Sequence, residues 1–304
     1  EGGGGPIDLT MTYDAGTTVA GAGTITAKIS AATTLNVKKL DLYGAGLNDP
    51  TPGYPLAAFS LSTNSSGGAG NVGVRIITGI LDREFGDGAH DFLYIPVVAE
   101  DGKTWLNNNL GAHYSNLNHA SFNPTQQATA RNDYLAYGSL YQWGRFSDGH
   151  ELITWTSATA GSPVNGSTST NANVPTHGYF ITEANSPYDW RVSADNTLWA
   201  NESSTNNPCP QGYRLPTDAE QTALVTAASI TNYTNAASSN LAFSAVGNRS
   251  RTNATLVSQA STGYYWSNTV KGSTGTYNRR FYSSSTSVSA SNRATAFSVR
   301  CIKD

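Results

Sequence analysis

Residues 207–220 are NPCPQGYRLPTDAE, and this stretch predicts both the start of a helix and an attachment point for a distant part of the chain. Thr217 and Glu220 stand three positions apart after Pro216, which is the pattern of a capping box. The Thr217 hydroxyl can accept a hydrogen bond from the Glu220 amide, while the Glu220 carboxylate reaches back to the Thr217 amide. We therefore predict a helix that begins at Thr217 and continues through the apolar positions that follow.

The same stretch contains Cys209, and the second cysteine of the chain, Cys301, lies near the last residue. An even number of cysteines in an exported protein indicates a disulfide bond. A bridge here would attach the last strand to the entrance of the helix. A catalytic thiol or a metal ligand is the alternative, although neither cysteine has a nearby histidine or a CxxC partner. We predict the disulfide.

The composition of the whole chain indicates a β-rich, extracellular protein. Only 13% of the 304 residues are charged, whereas Ser and Thr together number 69 and Gly numbers 30. Coiled coils and helical repeat proteins are rich in Ala, Glu, Lys, Leu and Arg, so these classes are excluded. The formal net charge of −3 argues against nucleic-acid binding, which requires a basic surface. No apolar run reaches the length of a membrane-spanning helix.

The sequence pattern changes near residue 95 and predicts two domains. Residues 1–6 include four glycines, which we interpret as a flexible tether left after removal of a signal peptide, although a deliberately shortened chain would begin in the same way. Residues 7–94 contain short segments of alternating polarity between Gly-rich turns, which predict an antiparallel β-sandwich. Residues 95–304 hold all six tryptophans, and we predict a small core that carries long loops.

Three stretches of the second domain carry further predictions. Residues 133–143 place three tyrosines on one helical face, which predicts a second short helix that Gly138 weakens. Residues 158–173 and 283–292 consist mainly of Ser, Thr, Asn and Gly. We predict that both are long loops.

Five motifs in residues 95–304 occur in an order that resembles a known domain family. They are DGKTW (101–105) with NLG (109–111), YGSLYQWGR (137–145) with DGH (148–150), CPQGYRLPT (209–217), YWSN (265–268) and VRCIKD (299–304). This series is similar to the Fibrobacter succinogenes major paralogous domain, which is common on surface proteins and lipoproteins of Bacteroidetes-type bacteria. The resemblance implies an α+β C-type-lectin-like fold, shared with formylglycine-generating enzymes, with a twisted antiparallel sheet, two helices and large loops.

Residues 7–94 resemble, more loosely, the fimbrillin-like domains of the same bacteria. Together the two resemblances imply a non-catalytic, adhesin-like or pilus-tip-like protein, exported to the outer-membrane surface or beyond. Its expected partners are a host or community glycan or protein, and pilus subunits. Contact with the membrane is expected only through a lipid anchor ahead of Glu1. Two alternatives stay open, namely a structural surface or pilus-assembly protein without a specific ligand, and a divergent enzyme of the formylglycine-generating type.

The resemblance raises the question of a bound calcium ion. Calcium-dependent C-type lectins hold their ion with a Glu-Pro-Asn or Gln-Pro-Asp loop and a Trp-Asn-Asp strand, because calcium needs several oxygen ligands. The chain has Trp266-Ser267-Asn268 near the corresponding strand, but neither tripeptide occurs in it. We therefore predict no bound metal and no cofactor.

Two other groups of polar residues have more than one interpretation. His113 and His119 match no established zinc motif, and we expect solvated loop histidines. An aspartate, a histidine and a glutamate occur within residues 148–151. They indicate either a polar site or a turn in which Asp148 pairs with Arg145, and Asp-Gly favours the turn.

Glycan recognition depends on aromatic rings and planar polar groups, and these residue types gather near the YWSN motif and in the segment that follows it. We predict Tyr264, Trp266, Asn268, Arg279 and Tyr282 as ligand-binding residues, and we predict no catalytic residue. The alternative is that Trp266 packs in the core, that Asn268 caps a turn, and that one arginine of the pair at 279–280 is merely solvated.

Overall fold

A computed structural model of the chain describes residues 9–13, 27–31, 54–61, 70–76, 79–82 and 91–304. These residues belong to two compact units: the first four ranges lie in one unit, and the last two lie in the other. The predicted tether, residues 1–6, lies outside the described residues. Within the described ranges, no helix combines the length and the apolar character that a membrane span requires.

The described strands of the first unit form two antiparallel pairs. β1 (Leu9–Tyr13) pairs with β2 (Ala27–Ala31), and β3 (Tyr54–Leu61) pairs with β4 (Gly70–Ile76). Alternating polarity in this part of the sequence therefore corresponds to antiparallel strands, because neighbouring side chains of a strand face opposite sides. The assembly of these strands into a sandwich stays a prediction.

The second unit contains the remaining described strands, most of them two or three residues long. They are β5 (Ile80–Asp82), β6 (Phe92–Tyr94), β7 (Pro96–Val98), β8 (Thr104–Leu106), β9 (Tyr141–Gln142), β10 (Ile153–Trp155), β11 (Gly161–Pro163), β12 (Ser167–Thr168), β13 (Phe180–Ile181), β14 (Tyr213–Arg214), β15 (Asn248–Arg249), β16 (Leu256–Val257), β17 (Gly263–Lys271), β18 (Gly275–Phe281), β19 (Thr286–Asn292), β20 (Ala296–Phe297) and β21 (Ile302–Lys303). The helices are α1 (Asp218–Ala227) and α2 (Tyr233–Ser238), and 3-10 turns occur at His113–Ser115 and Tyr134–Ala136. The described chain is thus β-rich with few helices, as its composition predicts.

Three larger sheets organise the second unit. One has the strand order β14-β21-β8-β7, another has the order β16-β15-β20-β9, and the long strands β17, β18 and β19 form an antiparallel sheet. The last strand, β21, pairs with both β14 and β8. The segment between β8 and β14 is therefore held at both ends by one strand, and most of it forms loops.

A disulfide bond joins Cys209, just before β14, to Cys301, just before β21, which confirms the predicted bridge. Both cysteines are buried in a cluster that includes Trp143, Trp199 and Trp266. All six tryptophans of the chain are at most 3% exposed. The tryptophan-rich second half of the sequence therefore supplies a packed core, as predicted.

Helix α1 begins where the capping box predicts. Thr217 Oγ1 accepts a hydrogen bond from the Glu220 amide at 3.0 Å, and Glu220 Oε2 accepts one from the Thr217 amide at 2.9 Å. The Glu220 carboxylate also accepts hydrogen bonds from Arg214 at 2.9 and 3.0 Å and from Lys103 at 2.9 Å. Burial alone would raise the pKa of Glu220, but these donors hold it well below its usual range. The helix entrance is thus tied to β14.

Two predictions about local structure are wrong. Residues 133–143 contain a 3-10 turn and β9 instead of a helix. Gly138 there has a φ of +72°, and a Cβ on it would lie 2.3 Å from the carbonyl oxygen of Leu110. The predicted loop at 283–292 contains β19, whose alternation of hydroxyl and apolar side chains suits a strand. The other predicted loop, 158–173, contains only the short strands β11 and β12.

The second unit begins before residue 95. β5 pairs with β6, and Phe92 and Tyr94 are buried in the same cluster as the disulfide. Residues 79–82 and 91–94, which the sequence pattern placed in the β-sandwich, therefore belong to the second unit. Alternating polarity identifies a strand but does not tell which core the strand joins.

Candidate functional site

Trp266 and Asn268, two of the predicted ligand-binding residues on β17, hold other parts of the second unit in place. Trp266 is fully buried, its Nε1 donates to the carbonyl of Tyr141 at 2.7 Å, and its ring centroid lies 4.3 Å from that of Phe297. Asn268 donates to the carbonyl of Ala200 at 3.1 Å. Trp266 is therefore a core residue and not available to a ligand from solvent.

The strand pair β17-β18 places the other predicted residues on two faces. The guanidinium of Arg280 lies 5.4 Å from the ring centroid of Tyr264 and donates to the Tyr282 hydroxyl at 3.4 Å. Arg279 lies on the opposite face, where it is 5% exposed and donates to Thr222 of α1 at 2.6 Å. Arg279 is thus the inward arginine of the pair, and the five residues do not form one surface. A ligand role for Tyr264 and Tyr282 stays a prediction.

The turn at residues 145–151 brings an aspartate, a histidine and a glutamate together. Asp148 Oδ2 accepts a hydrogen bond from Arg145 Nε at 2.8 Å, which confirms the predicted pair. Asp148 Oδ1 lies 2.8 Å from Nδ1 of His150, and Glu151 Oε2 lies 3.2 Å from the same nitrogen. Burial by itself would raise the pKa of Asp148, but His150 and Arg145 together hold it below its usual value.

The hydrogen bonds of His150 leave neither ring nitrogen free for a metal ion. The backbone amide of Gln142 donates to Nε2 of His150 at 3.1 Å. The ring proton therefore lies on Nδ1 and is donated to Asp148. Asp148, His150 and Glu151 each offer one potential metal-ligand atom, and these three atoms lie within 4.8 Å of one another. A metal ion would have to displace the Nδ1 proton before binding there. We therefore assign this cluster to holding the turn.

His113 and His119, predicted as solvated loop histidines, stack on each other instead. Their ring centroids are 4.0 Å apart with 19° between the planes, and His113 is only 8% exposed. Because the lone pairs lie in the two stacked planes, both rings cannot point at one metal ion. Burial, reinforced by the nearby His119, lowers the pKa of His113 to about 4.

This buried histidine predicts a loss of stability in mild acid. The pKa of His113 lies below the value of about 6.5 in the unfolded chain, so protonation favours unfolding as the pH falls from 6.5 to 4. The shift corresponds to roughly 3 kcal/mol over that window. His113→Phe retains a ring next to His119 and removes the titration. Urea unfolding at several pH values should show a shallower decline for this variant, and equal slopes would contradict the prediction.

An open cleft lies between loops of the second unit. Its volume is about 470 Å³, which is within the range of small-molecule sites. Its walls come from four segments of the chain, at residues 145–148, 173–175, 190–198 and 205–206. We call it the loop cleft. None of the five predicted ligand-binding residues lines it.

On one side of the loop cleft, the polar side chains already have hydrogen-bond partners within the protein. Besides its pair with Asp148, Arg145 donates to Gln142 Oε1 at 2.9 Å and to the carbonyl of His177 at 3.0 Å. The Arg145 guanidinium lies 5.7 Å from the ring centroid of the buried Trp190, whose Nε1 donates to the carbonyl of Trp143 at 2.8 Å. These contacts make a rigid wall.

Arg191 joins two other loop segments that line the cleft. Its Nε donates to the carbonyl of Ser193 at 3.0 Å and its Nη1 to the carbonyl of Asn173 at 2.5 Å. Asn173 Oδ1 in turn accepts from the Ser193 amide at 2.9 Å. These bonds bring the segments around residues 173 and 191 together, although 18 positions separate them in the sequence.

The loop region that forms the cleft also carries unusual apolar exposure. The four most exposed large apolar side chains of the described chain all lie within residues 164–192, and they are Val164, Val174, Tyr179 and Val192, at 50 to 79%. Val174 lines the cleft. Apolar side chains concentrated on one exposed region are typical of an interaction surface.

Sequence reasoning missed the loop cleft because its residues come from segments that lie far apart. Only Arg145 and Asp148 belong to a motif that the sequence singled out. The long loops of the second domain were the available signal, but they did not point to individual residues. No family model, curated protein or solved structure matches the chain.

Proposed function

We propose that the chain is a cell-surface, adhesin-like protein that binds its ligand in the loop cleft. In this proposal the first unit is a fimbrillin-like β-sandwich that serves as a stalk or pilus module. The second is a C-type-lectin-like domain of the Fibrobacter succinogenes major paralogous type, exported by a Bacteroidetes-type bacterium. The observation that carries the proposal is the open cleft of about 470 Å³, lined by both apolar and polar side chains, in the loop region with the greatest apolar exposure of the described chain.

Three features support the lectin-like assignment. In the sheet β14-β21-β8-β7, the adjacent strands β8 and β21 come from near the beginning and from the end of the second unit's sequence. The disulfide between Cys209 and Cys301 fastens the base of the loop segment. The capped helix α1 follows directly after β14. When paired strands and a disulfide hold the two ends of a loop segment, the loops between them can differ in sequence and can contact a ligand.

The chemistry of the cleft supports binding rather than catalysis. Arg145 and Asp148 are hydrogen-bonded to each other and to further protein groups, so they are committed to structure. Both cysteines of the chain are joined in the disulfide, so thiol chemistry of the formylglycine-generating type would first require reduction of a buried bond. The non-catalytic role is accordingly part of the proposal.

The uncommitted polar groups of the cleft suit a ligand rich in hydroxyl groups. Asn206 Nδ2 donates to the carbonyl of Gly144 at 2.7 Å, which leaves the Asn206 Oδ1 as an acceptor. Asn173 uses its Oδ1 for the Ser193 amide and retains its Nδ2 as a donor. The exposed hydroxyl of Thr205 adds a group of both kinds. Donors and acceptors in one cleft match the hydroxyl groups of a glycan.

Binding to a glycan array tests the proposal. Thr205→Trp places a bulky ring in the cleft from an exposed position and is expected to weaken binding to any positive glycan at least tenfold. Thr226→Trp is the matched control, because Thr226 is exposed on α1 and does not line the cleft. The control should bind like the unaltered protein. A null result across diverse glycans and matrix proteins would overturn the proposal and favour a structural surface or pilus-assembly protein.

A further inference from the structure

Three ionisable side chains line the loop cleft, and protein groups satisfy them to different degrees. Arg145 and Asp148 form an ion pair at 2.8 Å, and all three nitrogens of Arg145 donate to protein acceptors. The pair is neutral as a whole. Arg191 is the third ionisable side chain of the cleft.

The Asp189 carboxylate accepts a hydrogen bond from the backbone amide of Arg191 at 3.1 Å, whereas the carboxylate paired with the Arg191 guanidinium, that of Asp195, does not hydrogen-bond to it. Asp195 Oδ2 lies 3.8 Å from Arg191 Nη2, which is beyond hydrogen-bonding distance. Thr197 holds Asp195 through its amide and its hydroxyl, which donate to Oδ1 at 2.9 and 2.7 Å. Asp195 is thus fixed at a distance from the guanidinium.

The remaining contacts of Arg191 hold its guanidinium in place while leaving part of it unused. Nε and Nη1 donate to the carbonyls of Ser193 and Asn173, and the group lies 5.5 Å from the ring centroid of Trp190. Nη2 makes no hydrogen bond to any described residue. A guanidinium that is already restrained loses little conformational freedom on binding, and its Nη2 can still donate a charge-assisted hydrogen bond to a carboxylate.

We infer that the loop cleft binds an acidic sugar, with the carboxylate of the sugar on Arg191 and its hydroxyl groups on Asn173 and Asn206. The inference rests on the proposed function, because both concern the same cleft. Asp195 pairs with Arg191 from 3.8 Å without a hydrogen bond, so Nη2 retains its hydrogen-bonding capacity for the ligand. A carboxylate on Nη2 makes a charge-assisted hydrogen bond, which is stronger than a bond to a neutral hydroxyl.

Two sugars that differ only in the carboxylate test the inference on the unaltered protein. Methyl β-D-glucuronide and methyl β-D-glucoside are titrated separately, and binding is followed by ligand-observed NMR. The glucuronide should bind about tenfold more tightly. Raising the sodium chloride concentration from 0.05 to 0.5 M should weaken binding of the glucuronide and leave that of the glucoside unchanged, because salt screens only the charged contact.

Arg191→Gln removes the charge and should reduce the preference for the glucuronide to less than twofold. Lys271→Gln is the matched control, because it removes one positive charge at an exposed position outside the cleft, and it should keep the preference. Thermal unfolding of both variants checks that the fold is retained. The comparison of the two sugars on the unaltered protein stands even where Arg191→Gln disturbs the loop.

The outcomes separate this inference from the proposed function. Equal affinity for the two sugars, or a preference that Lys271→Gln also abolishes, would overturn the acidic ligand while leaving a glycan-binding cleft in place. Absence of binding by both sugars together with a null glycan array would overturn both proposals.

Discussion

Replacing Cys209 and Cys301 together by alanine is expected to lower the free energy of unfolding by about 4 to 5 kcal/mol. The two cysteines are 92 positions apart, and a cross-link over a loop of that length restricts the unfolded chain strongly. Both residues are at most 3% exposed, so alanine adds no buried polar group. Urea denaturation of the unaltered protein and of the double variant measures the difference.

The same bond offers a control within one protein. Unfolding the unaltered protein in the presence of a reducing agent should shift its urea midpoint toward that of the double variant, whereas the variant should not respond to the reducing agent. A loss of less than about 1 kcal/mol would show that the unfolded chain is already compact around this segment. Such a result would contradict the stabilising role assigned to the bridge.

Replacing Arg300 by methionine is expected to cost about 3 to 5 kcal/mol of unfolding free energy. Arg300 is 2% exposed. Its guanidinium donates to Asn109 Oδ1 at 2.7 and 3.1 Å, and to the carbonyls of Asn107 at 3.0 Å and Leu241 at 2.7 Å. Methionine fills most of the space but leaves these oxygens without this donor in an interior that excludes water.

Two further variants show whether the effect arises from this buried network. Arg300→Lys retains the charge but replaces the planar guanidinium by a single ammonium group. Its free energy of unfolding should therefore lie between those of the methionine variant and the unaltered protein. Arg251→Met removes a half-buried arginine that donates to the carbonyl of Glu183 at 2.8 Å, and it should cost about 1 kcal/mol or less. Equal losses for Arg300→Met and Arg251→Met would contradict the prediction.

Buried arginines also change how the low proportion of charged residues in the chain is interpreted. Among the residues whose burial the structure describes, five arginines are buried, at positions 145, 249, 279, 293 and 300. Arg249 donates to the carbonyls of Ala254 and His150, and it has no described carboxylate partner. Some of the few charged residues thus serve as internal donors that tie distant loops together. From composition alone, every charged residue would be expected at the surface.

Predictions from the sequence succeeded where a few adjacent residues decide the outcome. The capping box at Thr217 involves four consecutive residues, so the start of α1 was readable without any tertiary contact. The sequence predictions failed where a contact with a distant segment of the backbone determines the local conformation. Gly138 has a φ of +72° in place of a helical conformation, and a Cβ there would lie 2.3 Å from the carbonyl oxygen of Leu110, a contact that nothing within residues 133–143 records.

The candidate site shows the same division. The sequence placed ligand recognition on the β17 and β18 residues because aromatic and planar polar side chains gather there. Strand alternation limits such residues to two faces, but it does not tell which face is covered. The packing of α1 against β18 puts Arg279 inside, whereas Arg280 stays next to Tyr264.

Residue types alone were sufficient to predict that the chain is β-rich, that Thr217 caps α1 and that the two cysteines form a bridge, because strand alternation and capping depend on neighbouring residues and the chain has only two cysteines. The burial of particular arginines and the location of the loop cleft depend instead on the folded structure. The cleft exists because Arg145 and Arg191 bond to backbone carbonyls of other loop segments. Every residue has a backbone carbonyl, so residue types alone do not show which carbonyls meet these arginines. The position of the cleft therefore depends on how the chain folds.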